Sequence, residues 1–304
     1  MSRLADPEAP IHSRQHPALI RVLLLITVIV WGSTFVATKI CLVYLTPAEV
    51  LGLRLLLAVP VLLGMILSQK IRLNFTLPEK RTLLFGSGIL TIHFLIQIIG
   101  LQYTSATNTG WIISVTPLVI VVLSYFFLKE RIKVNDIIGV MIATLGILLL
   151  MSRGDFSSLG WLSSVGDWLI LASAHTWAVY TVAGRNISRS HNPIAVAFAF
   201  LLPATIVMTA YMGFTSDWSK FVHLPTEPLV AIVFLGVVAM GLANWWWQKG
   251  VASIGAAKAG VFLYVEPLAT TLLAVPLLNE SVGVFTLIGG FLVLCGVYWS
   301  QRGK

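Results

Sequence analysis

Charge is scarce in this sequence: 11% of its 304 residues are Asp, Glu, Lys or Arg, against 57% hydrophobic. A soluble domain carries roughly 25% charged residues, so a soluble fold of this length is excluded and the solvent is lipid. Cysteine is scarce too. Cys41 and Cys295 both fall at or inside apolar stretches, with no CxxC pair and no histidine cluster beside them. That removes a disulfide framework and a cysteine metal site. Also missing are HExxH, clustered acids for metal and phosphate chemistry, a Ser/His arrangement, and a glycine-rich phosphate loop with its lysine. An enzyme reading has no constellation to rest on, no cofactor or metal is expected, and nucleotide hydrolysis within this chain cannot supply energy.

What the chain has in quantity is apolar length. Apolar stretches cover residues 19–40, 47–68, 81–102, 107–128, 134–152, 164–185, 193–214, 228–249, 256–277 and 283–300, each near the roughly 20 residues that a helix needs to cross a bilayer. They lack the period-two alternation of barrel strands and are about twice as long. The expected fold class is an all-α membrane protein with ten transmembrane helices. Residues 1–18 are polar and include Pro7, Pro10 and Pro17, which suits a disordered cytoplasmic tail better than a cleavable signal sequence.

The net charge of +8 is topological. With the termini and every second connection on one side, Arg3, Arg14, Arg21, Lys70, Arg72, Lys80, Arg81, Lys129, Arg131, Lys133, Arg185, Arg189, Lys249, Lys258, Arg302 and Lys304 share that side. Lys39, Arg153 and Lys220 remain on the other. Cytoplasmic loops collect Lys and Arg, so both termini are expected in the cytoplasm, and nucleic acid drops out as a partner.

The two halves of the chain repeat. A shift of 146 lays Trp31 through Lys39 on Trp177 through Arg185, and Thr46-Pro47 on Asn192-Pro193. Further on, a shift of 150 lays Gly86 on Gly236, Gly100 on Gly250, Ala106 and Gly110 on Ala256 and Gly260, Pro117 on Pro267, Glu130 on Glu280, Gly139 on Gly289 and Gly146 on Gly296. Units of 19–152 and 164–300 each hold five spans. An odd number forces the second unit to enter the membrane from the opposite face, giving two five-helix inverted-topology repeats with a site expected near the midplane.

These residues carry a resemblance to the drug/metabolite transporter superfamily, specifically its EamA-type members. They are Trp31-Gly32-Ser33-Thr34-Phe35, Arg54, Pro117 with Lys129-Glu130, Glu266-Pro267, and Asn279-Glu280. The resemblance implies a ten-helix fold around a central cavity in the bacterial inner membrane, and export of amino acids or related small metabolites. Its motifs are helix-packing and helix-ending signals shared by members with different cargo, so they specify fold rather than substrate.

Candidate functional residues cluster near the middle of the spans. Pro117 and Pro267 each delete an intrahelical hydrogen bond and free a carbonyl one turn earlier, at Ile113 and Leu263, which makes paired kinks or gates. Glu266 is the carboxylate placed well inside a span. In an apolar cavity it is a candidate proton carrier or a counter-charge for an amine, and the alternative is that it holds backbone groups loosened by Pro267. Arg54 is expected to snorkel or to pair with Glu49, and Lys39 and Lys258 to snorkel at helix ends. His93 and Gln97 are four apart and share a face with Gly100. Asn244 and Trp247 share another, with Gln97 the repeat mate of Trp247. Trp177 and Tyr180 are expected lining residues because Trp31 mates with Trp177. Trp111 and Tyr264 would complete an aromatic cavity beside the prolines. Small residues at 106 and 110, with 256 and 260, and the glycines at 139, 146, 289 and 296 fit close helix approach, within one chain or in a dimer.

A channel is disfavoured by paired kinks and no acidic ring, and a receptor by the want of a sensing domain. Two cargo classes stay open. One is amino acids or similar metabolites, possible partners including protons; the other is cationic or amphipathic toxic compounds, since aromatic faces with one acid attract cations as well.

Overall fold

The structure is a computed structural model, and it describes residues 17–128, 134–156 and 164–301. Most of the expected tail and the Lys129-Glu130 pair lie outside these, as do several of the cations used for orientation.

The described residues form ten helical rods. We label them α1 (Pro17–Leu42), α2 (Pro47–Ser68), α3 (Leu77–Tyr103), α4 (Ala106–Ile113 continued by Thr116–Leu128), α5 (Val134–Ser152), α6 (Val165–Ser190), α7 (Pro193–Thr215), α8 (Thr226–Ile254), α9 (Ala256–Leu278) and α10 (Val284–Gln301). A single helical turn, Ser219–Val222, lies between α7 and α8. Seven rods, α1 to α4 and α7 to α9, are long and apolar enough to cross a bilayer unaided. In α5 and α10 the helices run for 19 and 18 residues. The uniform apolar character expected of the ten crossings is corrected at α6. In α6 the rod carries Asp167, His175, Arg185 and Arg189 and falls short in hydropathy. Two of its polar groups are met inside the bundle: the Thr104 hydroxyl donates to Asp167 and the Ser188 hydroxyl to Gln248 Oε1 at 2.6 Å.

Local chemistry sets the helix starts. Thr46 caps α2 through a capping box, its Oγ1 accepting from Glu49 N–H at 3.4 Å while Thr46 N–H donates to Glu49 Oε2 at 2.9 Å. Pro47 then takes the first turn, where no N–H is needed. Asn192 does the same for α7, its Oδ1 accepting from Ile194 N–H at 2.9 Å ahead of Pro193. The repeated Thr-Pro and Asn-Pro pairs are therefore helix starts.

Three rods are interrupted. Turn residues Ser114 and Val115 split α4 just before Thr116-Pro117. A 3-10 stretch, Val261–Val265, precedes Glu266-Pro267 in α9. In α8 the residues Phe234–Leu242 form a π-helix, a wide turn seen mostly at functional sites.

Packing between rods repeats as the sequence does. A Cβ added to Gly146 would stand 2.5 Å from the Gly289 carbonyl, and one on Gly296 2.5 Å from the Gly139 carbonyl; the shift of 150 turns the first contact into the second. Gly100 meets Ile170 on α6, and its mate Gly250 meets Leu24 on α1, the mate of Ile170. Gly110 meets Pro267 and Thr270, and Gly260 meets Pro117 and Ile120. Residue pairs exchange partners across a pseudo-two-fold axis, which relates the two five-rod units and places them in opposite senses.

Candidate functional site

The axis passes through a cavity lined by Trp31, Thr34 and Phe35 of α1, Arg54 of α2, His93, Phe94 and Gln97 of α3, Ile113 and Thr116 of α4, Trp177 of α6, and Leu263 and Glu266 of α9. Its framework is symmetric: Trp31 mates with Trp177, Ile113 with Leu263, and Thr116 with Glu266. The two mated indoles touch each other edge-on, with ring centroids 5.0 Å apart. The cavity in this conformation is small, about 30 Å³, with room for a water or two.

The Trp31-Gly32 motif follows from this geometry. Trp31 turns into the cavity and donates Nε1–H to the Ala239 carbonyl in the π-helix at 3.1 Å. Gly32 lies against α9, where a Cβ would come within 2.6 Å of the Glu266 carbonyl oxygen and 2.9 Å of Ala269 Cβ. Thr270 Oγ1 locks the same crossing by donating to the Gly32 carbonyl at 2.9 Å. Only a residue without a side chain lets α1 reach the Glu266-Pro267 backbone this closely.

Of the residues expected in the site, Trp31, His93, Gln97, Trp177 and Glu266 stand on the cavity wall. His93 is fixed by Nδ1–H donating to the Ser173 carbonyl at 2.9 Å, which leaves Nε2 as the other ring nitrogen. Three others form a backing layer. Trp247 is fully buried against Trp31 and Trp177, with centroids 5.2 and 5.9 Å away. Tyr180 contacts Trp177 and accepts from Gln248 Nε2 at 2.5 Å. Asn244 donates to the Met240 carbonyl at 2.9 Å. Trp111 and Tyr264 do not line this cavity and pack in the apolar cluster behind Phe35 and Ile113; Trp111 packs on Gly290 of α10.

The freed carbonyls expected at Ile113 and Leu263 are both taken. Thr116 Oγ1 donates to Ile113 at 2.6 Å, and Glu266 N–H reaches Leu263 through the 3-10 turn. The prolines break their helices without leaving open carbonyls in the cavity.

Arg54 was the residue that sequence misplaced. Glu49, its expected partner, is engaged by Lys220 Nζ at 2.5 Å and by the α2 capping box. Arg54 is 3% exposed and lies on the cavity wall with its guanidinium carbon 5.1 Å from the Phe94 ring centroid. Its Nε has no hydrogen-bond partner among the described residues. Glu266 is 6% exposed, and among the described residues no salt bridge joins it to Arg54 or to any other cation. The wall thus carries one buried basic and one buried acidic side chain, with no salt bridge to either among the described residues.

At the end of the molecule away from the termini, Glu280 reaches back from α9 to α4. Its carboxylate accepts from Ala106 N–H at 2.7 Å and Thr107 N–H at 2.9 Å. Asn279 makes the turn by adopting the left-handed conformation, φ 52°. Below this clasp, the Cβ position on Gly110 is 2.9–3.2 Å from Thr270 and Pro267, whereas that on Gly260 is 3.4–4.0 Å from Ile120 and Pro117. The α4–α9 crossing is tighter at the clasped end than at the end bearing the termini.

The comparisons with known proteins agree with this architecture. A solved crystal structure superposes with a TM-score of 0.72 at 21% identity, covering 94% of this chain and 99% of its own, which is a likeness of fold. An uncharacterized transporter from Archaeoglobus fulgidus is 29% identical over 283 residues, 91% of this chain and 95% of its own. The uncharacterized transporter YyaM of Bacillus subtilis is 27% identical over 269 residues, 88% of each chain. The model of the EamA-like transporter family matches twice, over residues 19–152 and 164–301, so this chain, a multi-pass membrane transporter, belongs to the EamA-like transporter family.

Proposed function

We propose that this protein is a secondary transporter that exports amino acids or related small metabolites by alternating access. The observation that carries the reading is the cavity on the pseudo-two-fold axis, where mated residues from the two inverted units meet around a buried, unpaired Glu266. Two similar halves of opposite orientation have two packings of comparable energy, one open to each side of the membrane. A charge buried without a partner costs several kcal/mol, so Glu266 is retained for something that visits it: a proton, or the ammonium of a cargo. The substrate wall is Trp31, His93, Gln97, Trp177 and Glu266, supported by Tyr180, Asn244 and Trp247. The breaks at Pro117 and Pro267 are the joints about which α4 and α9 move, with Trp111 and Tyr264 packing beside them. The location is the bacterial inner membrane with both termini cytoplasmic, supported by the bias of Lys and Arg. The clasped end then faces outward.

The test is uptake into proteoliposomes holding the purified protein, with labelled amino acids and a labelled lipophilic cation, with and without a pH gradient. Saturable amino-acid flux that Glu266→Gln abolishes, or uncouples from pH, is the expected result. Flux of the cation alone would replace this reading with multidrug export, and wild-type flux from the variant would reduce Glu266 to a structural role.

A further inference from the structure

We infer that Arg54 is the anchor for a carboxylate on the cargo and Glu266 the anchor for its ammonium, so that the site selects zwitterions. The inference rests on the transport reading and narrows it. Arg54 and Glu266 line one cavity, both nine-tenths or more buried, and neither has a salt-bridge partner among the described residues. Arg54 keeps an orphaned Nε donor among the described residues and lies against the ring face of Phe94. A guanidinium is planar, permanently charged and shaped to grip a carboxylate with two parallel hydrogen bonds. Two opposite charges left apart on one cavity wall are satisfied together by a ligand that carries both. A simple cation would answer Glu266 and leave Arg54 repelling it.

The repeat sharpens the argument. At the shift of 146 the mate of Arg54 is Phe200, and at 150 the mate of Glu266 is Thr116. Neither charge belongs to the shared framework: one has been placed in the first unit and the other in the second. A zwitterion therefore bridges the two units, pulling α2 and α9 together across the axis. Four aromatic side chains of the wall, Trp31, Phe35, Phe94 and Trp177, fit an apolar side chain on the cargo.

The experiment uses the full chain in proteoliposomes with labelled L-phenylalanine, L-leucine and L-alanine, competed by phenethylamine, which lacks the carboxylate, and by 3-phenylpropanoate, which lacks the ammonium. Both analogues should compete at least about tenfold more weakly than unlabelled L-phenylalanine, because each leaves a buried charge unmatched. Arg54→Gln should raise KM for the amino acid about tenfold or more and erase the discrimination against phenethylamine; Arg54→Lys should recover part of both. Equal competition by phenethylamine in the wild type, with saturable amino-acid uptake intact, would overturn the anchor assignment while leaving amino-acid transport standing. Uptake of no amino acid would overturn both. The wild-type competition needs no variant, so a misfolded Arg54→Gln protein cannot mask the answer.

Discussion

At the scale of single residues, Trp31 faces the cavity while its neighbour Gly32 lets α1 come close to α9. Gly32→Val would drive a side chain into the Glu266 carbonyl and Ala269, and overpacking of this kind costs about 1–3 kcal/mol. A lowered Tm in detergent and lost transport are expected. Gly64, which has nothing within 4 Å of its Cβ position, is the control: Gly64→Ala should leave Tm unchanged or raise it, by the ~1 kcal/mol that glycine costs a helix. Which residues would face inward was partly legible in the sequence. Trp31 and Trp177 could be found because the repeat pairs them and a two-fold axis brings mated central residues together. Arg54 could not, because an arginine near a helix end reads as a snorkelling side chain unless one knows that Glu49 is already occupied by Lys220. Trp111 and Tyr264 lie near the prolines in sequence, yet neither lines the cavity in this conformation; a helix step of about 100° per residue turns Trp111 onto Gly290 of α10.

At the scale of elements, the two rods broken before a proline, α4 and α9, are joined by Glu280. The two charge-assisted hydrogen bonds from Ala106 and Thr107 to Glu280 also satisfy orphan donors at the start of α4. Glu280→Gln keeps the shape and removes the charge, which should weaken the clasp by about 1–3 kcal/mol and enrich the conformation open at that end roughly 5- to 150-fold. Labelling measures this. In a chain with Cys41 and Cys295 replaced by alanine, a cysteine introduced by Gln97→Cys on the cavity wall should react faster with an impermeant maleimide added on the clasped side when Glu280→Gln is present. Unchanged labelling would show that the clasp does not hold that end shut. Asn279-Glu280 was recognisable in the sequence as a helix ending, but its reach to residues more than 170 positions earlier was not, since nothing local marks a long-range cap. The π-helix of α8 was likewise hidden in an unbroken apolar run.

At the scale of the whole molecule, the fold was the most legible part, because hydropathy counts helices in lipid and an odd-numbered repeat dictates inversion. The rod that departs from a uniform apolar run is α6, where polar groups such as Asp167 and Ser188 meet partners on other rods that one sequence does not display. The pseudo-symmetry makes its own prediction. Gly146→Val and Gly296→Val create mated clashes, each with a carbonyl 2.5 Å from the new Cβ, so they should lower Tm by similar amounts; effects differing by more than about 2 kcal/mol, beyond the usual 1–3 kcal/mol spread of overpacking, would argue against equivalent interfaces. The central claim is that two inverted units share one site and expose it to each side in turn. Counterflow tests this most directly. Proteoliposomes preloaded with an unlabelled amino acid should take up the same labelled amino acid several-fold faster than empty ones, because a loaded site returns to the outside with cargo. Saturable or not, a flux that ignores what is inside the vesicle and follows only the external concentration would contradict a carrier and point to a pore.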